Sequence, residues 1–134
     1  MNLQPRKIKY KKIKKGSSKG FEFKNNKLNF GEIGLKSAES GFISAKQIEA
    51  ARRSITRKLK RKGKLWVRIF PDFPVTRKPN EARMGKGKGN VSFWASKVAK
   101  GNTLFEICGV PIKIAKEALN SADFKLSIKT KIFQ

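Results

Sequence analysis

The chain has 134 residues, with 33 Lys or Arg against nine Asp or Glu, for a formal net charge of +24. That length suits one domain with a real core rather than two, and such a charge calls for a polyanionic partner, either nucleic acid or an anionic membrane surface. The absence of His and the single Cys exclude an internal disulfide and a His- or Cys-built metal site, and remove the commonest general base.

The charge is unevenly placed. Residues 1–64 hold 20 basic and four acidic side chains, whereas residues 65–134 hold 13 and five. The densest run is Arg6-Lys-Ile-Lys-Tyr-Lys-Lys-Ile-Lys-Lys15, with seven cations in ten positions. Alone, a like-charge block of this kind reads as a disordered tail; against phosphate it can order by releasing counterions. Gly16-Ser-Ser-Lys-Gly20 comes next as a linker. The division expected is therefore a basic extension over residues 1–20 and a single domain over residues 21–134. The N-terminus has neither the apolar stretch of a secretory signal nor the Arg- and Ser-rich pattern of a transit peptide.

Phe21 to Phe30 carries aromatics around Asn25-Asn26, a weak strand-turn-strand pattern, and Phe30 to Leu35 reads as a strand with bulge glycines. Ser44 to about Arg61 is the clearest helix. Ser44 and Gln47 form a capping-box pattern, Ile48, Ala51, Ile55 and Leu59 recur as one stripe, and Gly63 supplies the stop. Lys46, Arg53, Arg57, Lys60 and Arg61 project away from that stripe, with Arg52 at its edge. The face mixes in only Glu49, so it reads either as a solvated face or as a phosphate-binding one.

Lys64 to Phe70 alternates Leu65, Val67 and Ile69 with Trp66, Arg68 and Phe70, the period of a strand. Pro71, Pro74 and Pro79 divide the next stretch into a turn and a short extended piece. Arg83-Met-Gly-Lys-Gly-Lys-Gly-Asn90 comes after it, with three glycines alternating with two lysines. It has little to bury, so it is either a flexible solvated loop or a place where bare backbone and cations approach a polyanion. Val91 to Val98 reads as a strand, Gly101-Asn102 as a turn, and Thr103 to Cys108 as its hairpin partner. Pro111 opens a second helix with Ile112, Ala115, Leu119 and Ala122 as its buried stripe, and Leu126 to Ile132 forms a last strand. The order predicts an α+β fold, two helices packed on one side of a mixed, mostly antiparallel sheet, with the loop of Arg83 to Asn90 leaving one end of it.

Enzymatic readings fail on these residues. A nucleotide-binding P-loop needs G-x-x-x-x-G-K-[ST] between a strand and a helix, whereas here the glycines alternate, no Ser or Thr follows Lys88, and a strand comes next. Cys108 has no His to activate it and reads as a structural thiol. Glu106 with Glu117 or Asp123 offers only a weak carboxylate pair. No cofactor and no metal is expected. A membrane-surface binder should set bulky apolar residues opposite the basic face of a long helix, but Ile48, Ile55 and Leu59 are needed for the core, and no apolar run approaches the roughly 18 residues of a span. A nucleic-acid binder fits the tail, helix face, loop and last strand together. Lysines outnumber arginines 25 to eight and no DNA-reading module is visible, so structured RNA is favoured over DNA.

Several runs also carry a resemblance: Leu3-Gln-Pro-Arg-Lys7, Ala45-Lys-Gln-Ile-Glu-Ala-Ala-Arg-Arg53, Lys64-Leu-Trp-Val-Arg-Ile-Phe-Pro-Asp72, Pro79, Arg83 to Asn90, Gly109-Val-Pro111 and Ile128-Lys-Thr130. In order and spacing they closely resemble the large-subunit ribosomal protein family numbered sixteen in bacteria and organelles, related to the archaeal and eukaryotic L-ten-e type. The resemblance implies a structural part of the large ribosomal subunit, acting in translation by organising the A-site and peptidyl-transferase region without doing chemistry. It implies contacts to large-subunit rRNA by Arg6, Lys7, Lys9, Lys11, Lys12, Lys14, Lys15, Arg52, Arg53, Arg57 and Arg61. It places Arg83, Met84, Gly85, Lys86, Gly87, Lys88 and Gly89 close to tRNA, with neighbouring ribosomal proteins as further partners and neither membrane nor DNA among them. Lys19 to Ser40 departs from the family pattern, and Phe73 stands where a lysine is common. The bias toward Lys, Ile, Asn and Phe suggests an A/T-rich genome, hence a mitochondrial ribosome, with a plastid or the bacterial cytoplasm as alternatives.

Overall fold

The sequence signal around Ser44 becomes a helix start in three dimensions. In a computed structural model, which describes residues 3–134, β1 (Ile33–Ser37) and β2 (Gly41–Ser44) lead into α1 (Ala45–Leu59). Residues 1–2 of the basic extension lie outside the described residues. The Ser44 hydroxyl accepts from the Gln47 N–H at 3.2 Å, and the Gln47 side chain accepts from the Ser44 N–H at 3.0 Å. Ile48, Ala51, Ile55 and Leu59 are buried, the expected stripe. The helix closes earlier than expected, at Lys60 in the left-handed region (φ 52°), with Arg57 and Lys58 in the last turn where cations favour the dipole. Gly63 lies just beyond at φ +73°, and a Cβ there would be 2.4 Å from the Cys108 carbonyl oxygen.

The remaining elements are β3 (Lys64–Val67), β4 (Phe73–Arg77), β5 (Asn90–Val98), β6 (Thr103–Cys108), α2 (Ile112–Asp123) and β7 (Thr130–Phe133). The α+β class holds, and every pairing between these strands is antiparallel. The strands divide between two sheets, ordered β3-β6-β1-β7 and β2-β5-β4, where one sheet was expected. The turn at Gly101-Asn102 is present, but β5 and β6 do not pair across it. Ser37 donates its N–H to the Asn102 carbonyl and accepts from the Gly101 N–H, both at 2.9 Å, so the end of β1 holds the turn and carries the chain from one sheet to the other.

Cross-strand partners share a face. Leu65, Ile107 and Ile33 align across the four-stranded sheet, as do Val67, Phe105, Leu35 and Ile132. These side chains join the buried faces of α1 and α2 in one apolar cluster, where each fully buried Leu, Ile or Phe contributes about 1.5–3 kcal/mol. α2 buries Ala115, Ala118, Leu119 and Ala122, and Ser54 of α1 shares a hydrogen bond with Ser121 of α2 at 2.8 Å. Ile112, expected in the α2 stripe, is 49% exposed, and Ala118 takes the buried position. β7 starts only at Thr130, because the N–H of Lys129 goes to the Glu39 carboxylate rather than to a ladder.

The other face carries Trp66, Glu106, Gly34 and Phe133 in register. Residues 25–31 cover it, and residues 21–31 are not the strand-turn-strand expected. Beyond a bridge between Phe21 and Lys100, five of their backbone N–H groups go to carboxylates. Glu22 takes the N–H groups of Lys24 and Asn25, and Glu106 takes those of Asn29, Phe30 and Gly31 at 2.7–3.1 Å. β1 accordingly begins at Ile33 rather than Phe30. Glu106 is fully buried and also accepts from Arg68 at 2.5 Å. Burial pushes its pKa up, but the three N–H donors and the guanidinium more than offset this and hold the carboxyl below its ordinary value.

Candidate nucleic-acid interface

Glu49 organises the cations of α1. Arg52 donates to it through Nη2 at 2.5 Å and Nε at 3.0 Å, and Arg53 through Nε at 3.2 Å. These hydrogen bonds, that from Arg52 foremost, lower the Glu49 pKa to about 2 against the opposing effect of burial. The carboxylate is therefore charged at neutral pH and fixes two guanidinium groups side by side. Arg52, Arg53, Thr56, Arg57, Lys60 and Arg61 line one shallow groove of about 600 Å³. The four arginines singled out from the sequence thus share a surface, with Arg53 71% exposed.

The extension is laid onto the fold. Leu3 packs against the core and borders the recess between α1 and β3, beside Arg52, Leu59 and Leu65. Arg6, Lys7, Lys9, Lys11, Lys12, Lys14 and Lys15 are all exposed. Further on, Lys12 Nζ donates to the Lys88 carbonyl at 3.3 Å, and Lys88 Nζ donates to the Ile13 carbonyl at 2.6 Å. Lys15 Nζ sits 5.4 Å from the centre of the Phe42 ring. The extension thereby runs from the α1 surface to the glycine-lysine loop.

That loop connects β4 to β5 and so leaves the three-stranded sheet. Arg83, Met84, Gly85, Lys86, Gly87 and Lys88 are exposed, Met84 completely. Gly85 and Gly87 have φ of +93° and +99°, yet a Cβ on either would meet nothing, so backbone conformation rather than space requires glycine there. Gly89 differs: a Cβ would lie 2.7 Å from the Arg77 carbonyl, so the loop closes tightly at its base. Lys78 Nζ donates to the Gly85 carbonyl and, with the loop, borders a recess of about 510 Å³. Lys78 was not singled out from the sequence, where it is one lysine beside a proline. Neither was the Lys12–Lys88 junction, which spans 76 positions.

The carboxylate pair considered from the sequence has no chemistry to offer, since Glu106 is consumed by four donors and Asp123 accepts from Thr130. Among the described residues no cluster of His, Cys, Asp and Glu could hold a metal ion, and no helix is long and apolar enough to cross a membrane.

Comparison with known proteins gives this surface its setting. Residues 5–133 match the family model described as ribosomal protein L16p/L10e. The chain belongs to this family. Its relatives include proteins named large ribosomal subunit protein uL16 from Azorhizobium caulinodans, 53% identical, and from Rhizobium rhizogenes and Beijerinckia indica, each 54% identical. Each alignment covers 132 residues, 98% of this chain and 96% of the relative. Membership of the L16p/L10e family makes the chain a ribosomal protein, a structural component and not an enzyme. These relatives are bacterial, so they lend no support to the expected mitochondrial location.

Proposed function

We propose that this chain is a structural constituent of the large ribosomal subunit and binds its rRNA through one continuous basic band. The band runs from Arg52, Arg53, Arg57 and Arg61 on α1, along Arg6 to Lys15, to the loop of Arg83 to Gly89. The observation that carries this reading is the reciprocal pair of hydrogen bonds between the extension and the loop, Lys12 to Lys88 and Lys88 to Ile13. It joins elements distant in sequence into one cationic surface, with residues 1–20 as its RNA-binding arm and residues 21–134 as the supporting domain. The loop is exposed from Arg83 to Lys88, and it lies close to tRNA in the A-site region, where Lys86 and Lys88 touch phosphate without catalysing a reaction.

Lysine-rich contact of this kind is electrostatic, so binding to a large-subunit rRNA fragment should weaken steeply with salt. If six to ten phosphates are contacted, affinity falls by about 10³–10⁵ between 50 and 200 mM salt. A flat response would remove the electrostatic basis of the proposal. Lys86→Ala, which spares the Lys88 junction, should leave incorporation into the subunit intact and slow tRNA accommodation. Loss of incorporation instead would make the loop an assembly contact.

A further inference from the structure

The segment between the extension and β1 holds aromatic rings in solvent that the basic band does not use. Phe21 is 63% exposed and Phe23 82% exposed. Their backbone is fixed on both sides. Phe21 bridges Lys100, the Glu22 N–H donates to the Lys100 carbonyl at 2.9 Å, and the Glu22 carboxylate closes the turn onto Lys24 and Asn25. Two large apolar rings exposed within three residues, on a backbone tied down on both sides, mark a contact surface.

The charges around the rings say what kind of contact. Lys100 Nζ lies 5.4 Å from the centre of the Phe21 ring. Beside it a recess of about 220 Å³ is lined by Ser18, Lys19, Glu22, Lys97, Ala99 and Asn102. Glu22 is the acid there, and its carboxylate already accepts two backbone N–H groups. Flat rings interleaved with lysines match a partner with both π-faces and phosphates, which is single-stranded RNA. A protein face would have to strip water from the lysines, which are depleted at protein interfaces for that reason.

We propose that Phe21 and Phe23 form a stacking platform for unpaired RNA bases, with Lys19, Lys97 and Lys100 meeting the adjoining phosphates. This rests on the rRNA-binding proposal and adds a second surface, recognised by stacking as well as by charge. Phe21→Ala and Phe23→Ala change exposed positions, so thermal melting should be unaltered. Titrated with an oligouridylate of about 12 nucleotides, each variant should bind at least about fivefold more weakly, with an unchanged salt slope. Phe23→Trp should retain affinity, and Lys19→Ala with Lys97→Ala should make the salt slope shallower by about 1.4. Photocrosslinking of wild type to the same oligomer carrying 5-iodouridine should mark the peptide containing residues 21–23. Alanine variants that bind like wild type, or that lose capture of another protein while keeping RNA affinity, would overturn the platform. An rRNA fragment titrated in parallel separates the two claims. If its steep salt response persists in those variants, only the platform fails; if wild type binds neither RNA, the basic band fails with it.

Discussion

Replacing Glu106 by Gln tests whether one buried carboxylate fastens residues 25–31 to the sheet. Oε1 accepts from Asn29 at 3.1 Å and Arg68 at 2.5 Å, and Oε2 accepts from Phe30 at 2.7 Å and Gly31 at 2.9 Å. A glutamine amide presents one carbonyl and one NH₂, so either orientation turns the NH₂ toward two donors and leaves Arg68 without its counter-charge. Stranding buried donors costs about 1–3 kcal/mol each, and breaking a buried ion pair about 3–5 kcal/mol, so we expect a loss of about 3–5 kcal/mol. With an unfolding entropy scaled to 134 residues, this lowers the melting temperature by about 11–18 °C. Circular dichroism melts give the total, and hydrogen exchange should show the amides of Asn29, Phe30 and Gly31 losing protection first. The pH dependence has a definite sign. Because the folded-state pKa of Glu106 lies below its ordinary value of 4.5, its contribution is present above that value and is lost as pH falls through the folded one. Wild type should therefore lose stability below about pH 4.5, and the Gln variant should lose less over the same range. A drop of under about 1 kcal/mol, or unchanged exchange at residues 29–31, would refute the role assigned to Glu106.

Other expectations come from the same geometry. Glu49→Gln removes the carboxylate that occupies Arg52 and Arg53, so affinity for an rRNA fragment at low salt should rise about two- to fivefold, as expected for one surface charge. A fall would mean that holding the two guanidinium groups side by side matters more to binding than the charge Glu49 takes from them. Gly34→Ala would place a Cβ 2.7 Å from Leu28 Cδ2 and 2.8 Å from the Phe105 carbonyl. It should destabilise by about 1–3 kcal/mol in a denaturant titration, and a neutral result would show that both Leu28 and the paired β6 backbone give way.

The features legible in the chain were the local ones. The α1 start, cap and stripe come from Ser44, Gln47 and a 3.6-residue period within 16 positions, and β3 from a two-residue alternation, although β3 ends at Val67 where the alternation runs on to Phe70. The candidate interface was legible wherever cations cluster in sequence, in the extension, on α1 and in the glycine-lysine loop. Partners far apart in the chain were not. The backbone of Asn29 to Gly31 meets Glu106 across 75–77 positions, so the segment looked like half of a hairpin when its donors were already taken by a carboxylate. The same limit hid the division into two sheets, because Gly101-Asn102 carries a turn signal whichever strands it joins. It also hid the junction of Lys88 with Ile13, which turns three basic stretches into one band.

The central claim is that this band holds the chain on large-subunit rRNA. Sedimentation of a lysate through a sucrose gradient, with the protein followed by immunodetection, addresses it most directly. The account predicts that the protein migrates with large ribosomal subunits, and that charge-removing substitutions at Arg53, Arg57, Lys12 and Lys14 together shift it toward the top of the gradient. Wild-type protein remaining at the top, free of the subunit, would contradict it.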